Sequence, residues 1–156
     1  MQYSIEIRNR FIQKQKTNTL LYTPLKSRGA YEQTRRYTIN YSGNKKALKN
    51  FVREVLVDEV SEVVSSSLSP AMQNFQFYID VSLKPGTLNL EKEYILNYYQ
   101  QLQAPDFELQ ECTIAQRTYI KSESESGDLL PEPFIRDMVN PVIHTWNIQY
   151  GTSRTS

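Results

Sequence analysis

The stretch FQFYIDVSLKPGTLNLE, Phe75 to Glu91, carries the reading of the fold. Phe75, Phe77, Ile79, Val81 and Leu83 alternate with Gln76, Tyr78, Asp80 and Ser82, the period of an extended strand with one buried face and one wetter face. Pro85 removes a backbone donor and steers Lys84 away from helix, and Gly86 permits a positive φ, so the strand ends at Lys84-Pro85-Gly86. Asn89 is then placed to cap a helix whose first turn carries Glu91 and Glu93, both favourable at the positive helix end. Its buried side is expected at Leu90, Tyr94, Ile95, Tyr98 and Leu102, and Ala104-Pro105-Asp106 stops it.

Toward the N-terminus, Tyr3, Ile5 and Ile7 alternate as a first strand, and Tyr37, Ile39 and Tyr41 as a second. Between them Gln13 to Thr34, with Pro24 and Gly29, reads as a long loop or extended hairpin. Ser42-Gly43-Asn44 makes a turn with Ser42 or Asn44 as helix cap. From Lys45 to about Ser65 the apolar residues Leu48, Phe51, Val52, Val55, Leu56, Val60, Val63 and Val64 recur at helical spacing, so a long helix is expected there. Ser65 to Pro70 is a linker.

Toward the C-terminus, Phe107 to Lys121 is extended but changes phase: Phe107 and Leu109 share one parity, Cys112 and Ile114 the other. A bulge or two short strands account for the shift, and a bulge near Glu111 is the preferred reading. Ser122 to Asp128 is an acidic loop, and Pro133 starts a short helix with Phe134, Ile135, Met138 and Val139 on one side. Asn140-Pro141 ends it, and Ile143 to Tyr150 is a closing strand with Trp146 and Ile148 on one face. Residues 151–156 read as a loose tail.

Composition limits the chemistry. The chain of 156 residues contains a single cysteine, Cys112, and a single histidine, His144, so neither an intramolecular disulfide nor an ordinary His/Cys zinc site is expected. Apolar runs are short, and MQYSIEIRNRF lacks the core of a signal peptide, so a cytoplasmic protein without a membrane span is expected. The net charge of +1 hides an asymmetry: residues 1–50 hold eleven Lys or Arg against Glu6 and Glu32, a net +9, and the remainder carries −8. Such a basic arm attracts nucleic acid, phosphorylated ligands or acidic proteins, or is simply a solvated face. No Walker loop, dinucleotide fingerprint, Ser-His-Asp or Cys-His arrangement is present. The pairs Glu91/Glu93 and Glu123/Glu125 read as solvated carboxylates rather than as acid/base dyads. His144 reads as a hydrogen-bonded strand residue and Lys84 as an edge charge or a partner contact.

Several of these segments together carry a family resemblance. Val81-Ser82-Leu83-Lys84-Pro85-Gly86, the strand end Arg117-Thr118-Tyr119-Ile120, and Met138-Val139-Asn140-Pro141-Val142-Ile143 resemble, in order and spacing, the PurS-like small subunit of phosphoribosylformylglycinamidine synthase. The resemblance covers residues 74–150. Two departures stand out: the family often carries Asp-Pro after the glycine where this chain has Asn89-Leu90, and residues 1–73 are unmatched. The resemblance implies a ferredoxin-like, PurS-like α+β fold, an antiparallel sheet with helices packed on one face. The repeated strand-then-helix order at 37–64 and 75–103 suggests residues 1–73 as a diverged second lobe, packed beside the first as two small subunits pair in the family.

The resemblance further implies a non-catalytic role. The family's small subunit joins a large synthetase subunit, which holds ATP and Mg, and a glutaminase subunit, and supports assembly and ammonia transfer in de novo purine biosynthesis. No cofactor, catalytic residue or metal ligand is then expected in this chain. The expected partner-binding residues are Lys84, Pro85, Gly86, Tyr98, Tyr119, Asn140 and Pro141, and self-association through sheet edges or tyrosine-rich surfaces is expected too. The alternative class is a nucleic-acid-binding α+β module, in which the basic N-terminal half meets phosphates and Tyr22, Tyr31, Tyr37 and Tyr41 stack bases. A third is a stand-alone small-molecule sensor built on the same layers.

Overall fold

The computed structural model describes residues 1–11, 14–66, 69–123 and 129–151. Along them run strands β1 (Gln2–Asn9), β2 (Gln15–Lys16) and β3 (Gly29–Gly43), helix α1 (Lys45–Leu56), strands β4 (Glu62–Ser65) and β5 (Phe77–Leu83), helix α2 (Leu90–Gln100), strand β6 (Phe107–Ser122), helix α3 (Glu132–Met138) and strand β7 (His144–Tyr150). The strands form one antiparallel sheet in the order β4-β1-β3-β6-β5-β7, with β2 beside the start of β3. The fold is α+β. Among the described residues no helix is long and apolar enough to cross a membrane.

Alternation sets the two faces. Ile5, Ile7, Tyr37, Ile39, Tyr41, Cys112, Phe77, Ile79 and Ile120 share one face through the strand registers. Helix α1 covers one part of it with Leu48, Phe51, Val52 and Leu56, joined by Ile95 of α2, and Phe134 of α3 covers another part over Phe77, Ile79 and Ile120. The helices therefore stand on a single face, as the amphipathic strands and helices require. Asn44 and Asn89 cap α1 and α2, their side chains accepting from Ala47 N at 3.0 Å and Lys92 N at 3.2 Å. The bulge falls beside Glu111, where Asn40 pairs with Glu111 but Tyr41 pairs with Leu109. At the end of β3, Gly43 has φ +98°, and a Cβ there would stand 2.6 Å from the Asp106 carbonyl oxygen.

Four expectations are corrected. The helix begun at Lys45 ends at Leu56 rather than near Ser65, because Asp58 folds the chain back and Val63 and Val64, β-branched, pair with β1 as strand β4. The central strand β3 starts at Gly29, far earlier than Tyr37, since β6 pairs with it from Gly29 to Gly43. Leu90 and Tyr94 are exposed, at 73% and 58%, leaving Ile95 as the buried anchor of α2. Phe75 leaves the strand pattern and packs with Tyr78 and Tyr119 on the face opposite the helices, which is thus not simply wet. The acidic loop falls mostly on 124–128 and the tail on 152–156, outside the described residues.

The sheet has an internal twofold. Outward from its centre, β3-β1-β4 of the first half mirrors β6-β5-β7 of the second, and α1 and α3 each lead into the outermost strand. The correspondence extends to residues. Glu6 of β1 pairs with Arg36 of β3, and Asp80 of β5 pairs with Arg117 of β6. Ile7 faces Val64, and Val81 faces Trp146. After α1, the Asp58 side chain accepts from Val60 N at 3.1 Å and its carbonyl from Glu62 N at 2.8 Å; after α3, the Asn140 side chain accepts from Val142 N at 3.0 Å and its carbonyl from His144 N at 2.8 Å. Even the return bonds match, Asp58 N to the Glu62 carboxylate and Asn140 N to the His144 imidazole, both at 3.0 Å.

The repeat therefore relates residues 37–64 to the β6-α3-β7 segment, not to 75–103, because α2 has no helical counterpart. In its place the first half carries a 3-10 turn, Thr17–Leu20, and the residues after it. These connections cross over. Leu21 joins the core under α3, and Tyr22 N donates to Asp137 of α3 at 3.0 Å, while α2 packs with α1. The halves meet in one sheet through β3 and β6, and each half's connection closes the other half's core.

Candidate functional site

Two surface turns converge at one corner of the sheet. Lys84 N donates to Ile143 O at 2.7 Å, which ties Lys84-Pro85-Gly86, at the end of β5, to Asn140-Pro141-Val142-Ile143, at the start of β7. Gly86 has φ +87°, with nothing within 4 Å of the place a Cβ would take, so glycine serves backbone conformation there and leaves the turn open. Pro85, Gly86, Asn140 and Pro141 are exposed, and Val142 is 77% exposed. Five of the expected partner-binding residues thus come together. The other two do not. Tyr98 is half-buried against Phe51 of α1. Tyr119 is fully buried on the face away from the helices and is no surface residue, a correction whose cause is the closure of that face by Met72 and Phe75.

Tyr119 belongs instead to a buried polar network at the centre of that face. Glu6, 0% exposed, accepts from Arg117 Nη1 at 3.1 Å, Thr34 Oγ1 at 2.7 Å, Ala71 N at 3.3 Å and the Tyr119 hydroxyl. Arg117 also clasps Asp80 with both ends of its fork, Nε to Oδ1 at 2.7 Å and Nη2 to Oδ2 at 2.8 Å, and lies 3.8 Å from the Tyr78 ring centre. Such paired, charge-assisted bonds are what a buried carboxylate needs to stay out of water. Arg36, the counterpart of Arg117, is engaged more loosely: its Nη1 forms an ion pair with Glu6 at 4.0 Å but has no hydrogen-bond partner. The segment carrying Ala71, Met72 and Phe75 lies over this face.

The electrostatics follow from burial. Burial is the largest influence on Arg117 and opposes its charge, yet hydrogen bonds with Asp80 and Tyr119 and the charges of Asp80 and Glu6 together raise its pKa. Tyr119 is pushed above its ordinary value of 10.0, first by burial and then by its bond to Glu6. Tyr37 shifts the same way, by burial and by donating to Glu91, so that carboxylate of the α2 first turn is engaged with the core rather than only solvated. Burial pushes the Cys112 thiol up to about 11, which keeps it protonated and unreactive. His144 accepts from Asn140 N, the turn role described above.

The network escaped sequence reading, although a signal is present: an acid between two apolar strand residues occurs at Ile5-Glu6-Ile7, Ile79-Asp80-Val81 and Phe107-Glu108-Leu109, and the first two of these acids belong to the network. The stacking tyrosines of the nucleic-acid alternative are withdrawn by the fold. Tyr31, Tyr37 and Tyr41 are buried on the helix-covered face, and only Tyr22 is open, at 87%. A recess of about 700 Å³ lies between Met72, Phe75, Tyr78 and Tyr150, and among the described residues no charged side chain lines it. Among the described residues no group of three or more His, Cys, Asp or Glu is placed to hold a metal.

Searches against protein-family models, curated proteins and solved structures return no match.

Two outcomes follow from the network. Arg117→Ala leaves Glu6 and Asp80 without their hydrogen-bonded cation and is expected to cost about 3–5 kcal/mol in urea unfolding, whereas Arg36→Ala, which removes only the looser 4.0 Å contact, is expected to cost less; equal losses contradict the assignment. Because the raised pKa lets folded Tyr119 keep its proton where the unfolded chain loses it, its contribution is complete below pH 10.0 and is lost above. Tyr119→Phe is therefore expected to flatten the decline of the urea midpoint above pH 10.0, and an unchanged alkaline decline contradicts it.

Proposed function

We propose that this chain is a non-catalytic docking subunit of a phosphoribosylformylglycinamidine synthase complex, in which two PurS-like, ferredoxin-like lobes are joined covalently as a pseudo-dimer. The observation that carries the reading is the residue-level twofold. The resemblance implies small subunits that act in pairs, and here both halves repeat the same strand order, the same acid-arginine cross-strand pair and the same Asx turn. A duplication that retains the sheet centre, and replaces one α2 by a loop, accounts for residues 1–73, which the resemblance leaves unmatched.

The docking surface is the corner where Lys84, Pro85, Gly86, Asn140 and Pro141 meet, with Val142 as its apolar contact. Its counterpart on the first half, the Asp58 turn, exposes Val60 at 81%. A rigid turn with an exposed apolar tip and a flanking cation suits a protein partner: the tip offers surface to bury and the charge sets approach. The partners are the large synthetase subunit, which holds ATP and Mg, and the glutaminase subunit. The tightly bonded sheet is a scaffold for holding those partners in register, the role assembly and ammonia transfer require.

Co-purification of the tagged full chain with both subunits, in the presence of an ATP analogue and glutamine, is the test. Stable retention of the synthetase subunit is expected. Lys84→Glu combined with Val142→Asp is expected to weaken retention about tenfold or more, with an unchanged melting temperature. Failure to retain either subunit overturns the proposal, and retention insensitive to the double variant overturns the placement of the surface.

A further inference from the structure

Strand β7 is the last strand of the sheet, and one edge of it is open. Its ladder with β5 fixes which backbone groups face outward. Gly151 N donates to Gln76 O and Lys84 N to Ile143 O, so the odd-numbered residues from Ile143 to Gly151 direct their backbone groups to β5. Trp146, Ile148 and Tyr150 therefore direct theirs outward, where no described strand meets them. His144 N is already engaged with Asn140 O.

This edge lacks the usual guards. Exposed edges are normally kept apart by charge, proline, shortness or a bulge. The other outer strand, β4, spans only Glu62–Ser65 and carries Glu62. The stretch of β6 that β5 leaves unpaired carries Glu108 and Glu111 and the bulge. By contrast, the seven residues of β7, HTWNIQY, contain no Lys, Arg, Asp, Glu or Pro, and they expose Trp146 at 44% and Tyr150 at 63%.

We infer that β7 pairs antiparallel with β7 of a second copy of this chain, about a twofold axis at Asn147. In that register Trp146 and Ile148 of each copy exchange backbone hydrogen bonds with Ile148 and Trp146 of the other, using the outward groups. On the helix-bearing face Trp146 meets Ile148, an aromatic and β-branched pair of the favourable kind, and Tyr150 meets His144. On the other face Thr145 meets Gln149, and Asn147 meets its own copy. A second copy is the occupant because the uncharged strand brings no like charges together when it meets itself, and the axis at Asn147 is the register that sets Trp146 against Ile148. The pairing joins two sheets into one continuous sheet and leaves the Lys84 corner at each end of the seam. It does not depend on which protein docks at that corner.

The register gives a charge test. Thr145 and Gln149 are exposed, so lysines at both positions place cations opposite one another across the seam, whereas Thr145→Lys with Gln149→Glu places opposite charges there. Sedimentation velocity of the full chain at rising concentration is expected to show twice the 18.3 kDa chain mass for the wild type. The T145K/Q149K variant is expected to weaken the dimer on the order of tenfold, and T145K/Q149E to restore it. Emission from Trp146, the only tryptophan, is expected to shift to the blue as dimer forms, in wild type and T145K/Q149E at lower concentration than in T145K/Q149K. A wild type that stays at one chain mass overturns the inference, as does a dimer that responds alike to both variants.

Discussion

The Arg117 guanidinium holds one carboxylate from each half of the chain, Glu6 on β1 and Asp80 on β5, and the architecture turns on this clasp. The two acids occupy equivalent positions, and so do Arg117 and Arg36, yet only Arg117 satisfies both. Symmetry supplies four charges around the sheet centre, and the break in symmetry decides which cation holds both acids. A fully buried Glu6 fixes the register of β1 against β3, since a shift by one residue would turn the acid into the apolar layer under α1. The same clasp fixes β5 against β6. The helix-covered face supplies the apolar burial, and the polar face supplies the register.

Much of this plan was legible because local physics decides it. Alternation at Phe77 to Leu83, the asparagine caps, the parity change around Glu111 and the Asn140-Pro141 stop are read from neighbouring residues alone, and each has its structural counterpart. The overrun of the first helix has a clear cause: Val60, Val63 and Val64 continue the helical spacing, and only the Asp58 turn and the open edge of β1 claim them for a strand. Parity placed Tyr119 on the polar face of β6, but nothing in its neighbours tells that this face is closed by the segment around Met72. Glu6, Asp80 and Arg117 lie far apart in the chain and meet only through strand order. The repeat was hidden for a related reason, because the connections between equivalent strands differ in length and kind.

Function, on this account, is a matter of surfaces around a rigid sheet. Strand β7 carries both proposed surfaces: the turn before it meets the Lys84 turn of β5, and its outer edge is uncharged. Docking and self-pairing would thus be coupled through one strand, whose position is set by Asp80 and its neighbours on β5. The crossing connections make the halves mutually dependent, with Leu21 beneath α3 and Ile95 beside α1. A covalent pseudo-dimer of this kind gains asymmetry that two identical chains lack, a helix on one side and a loop on the other.

The central claim is that the two halves form one cooperative body, clasped by Arg117. Native-state hydrogen exchange of the full chain, under increasing denaturant, tests it most directly, by comparing the most protected amides of β1 and β3 with those of β5 and β6. The account predicts a single opening free energy, shared by all four strands and lowered equally in all four by Arg117→Ala. Two separate opening energies, one for each half, with the loss on Arg117→Ala confined to β5 and β6, would contradict it.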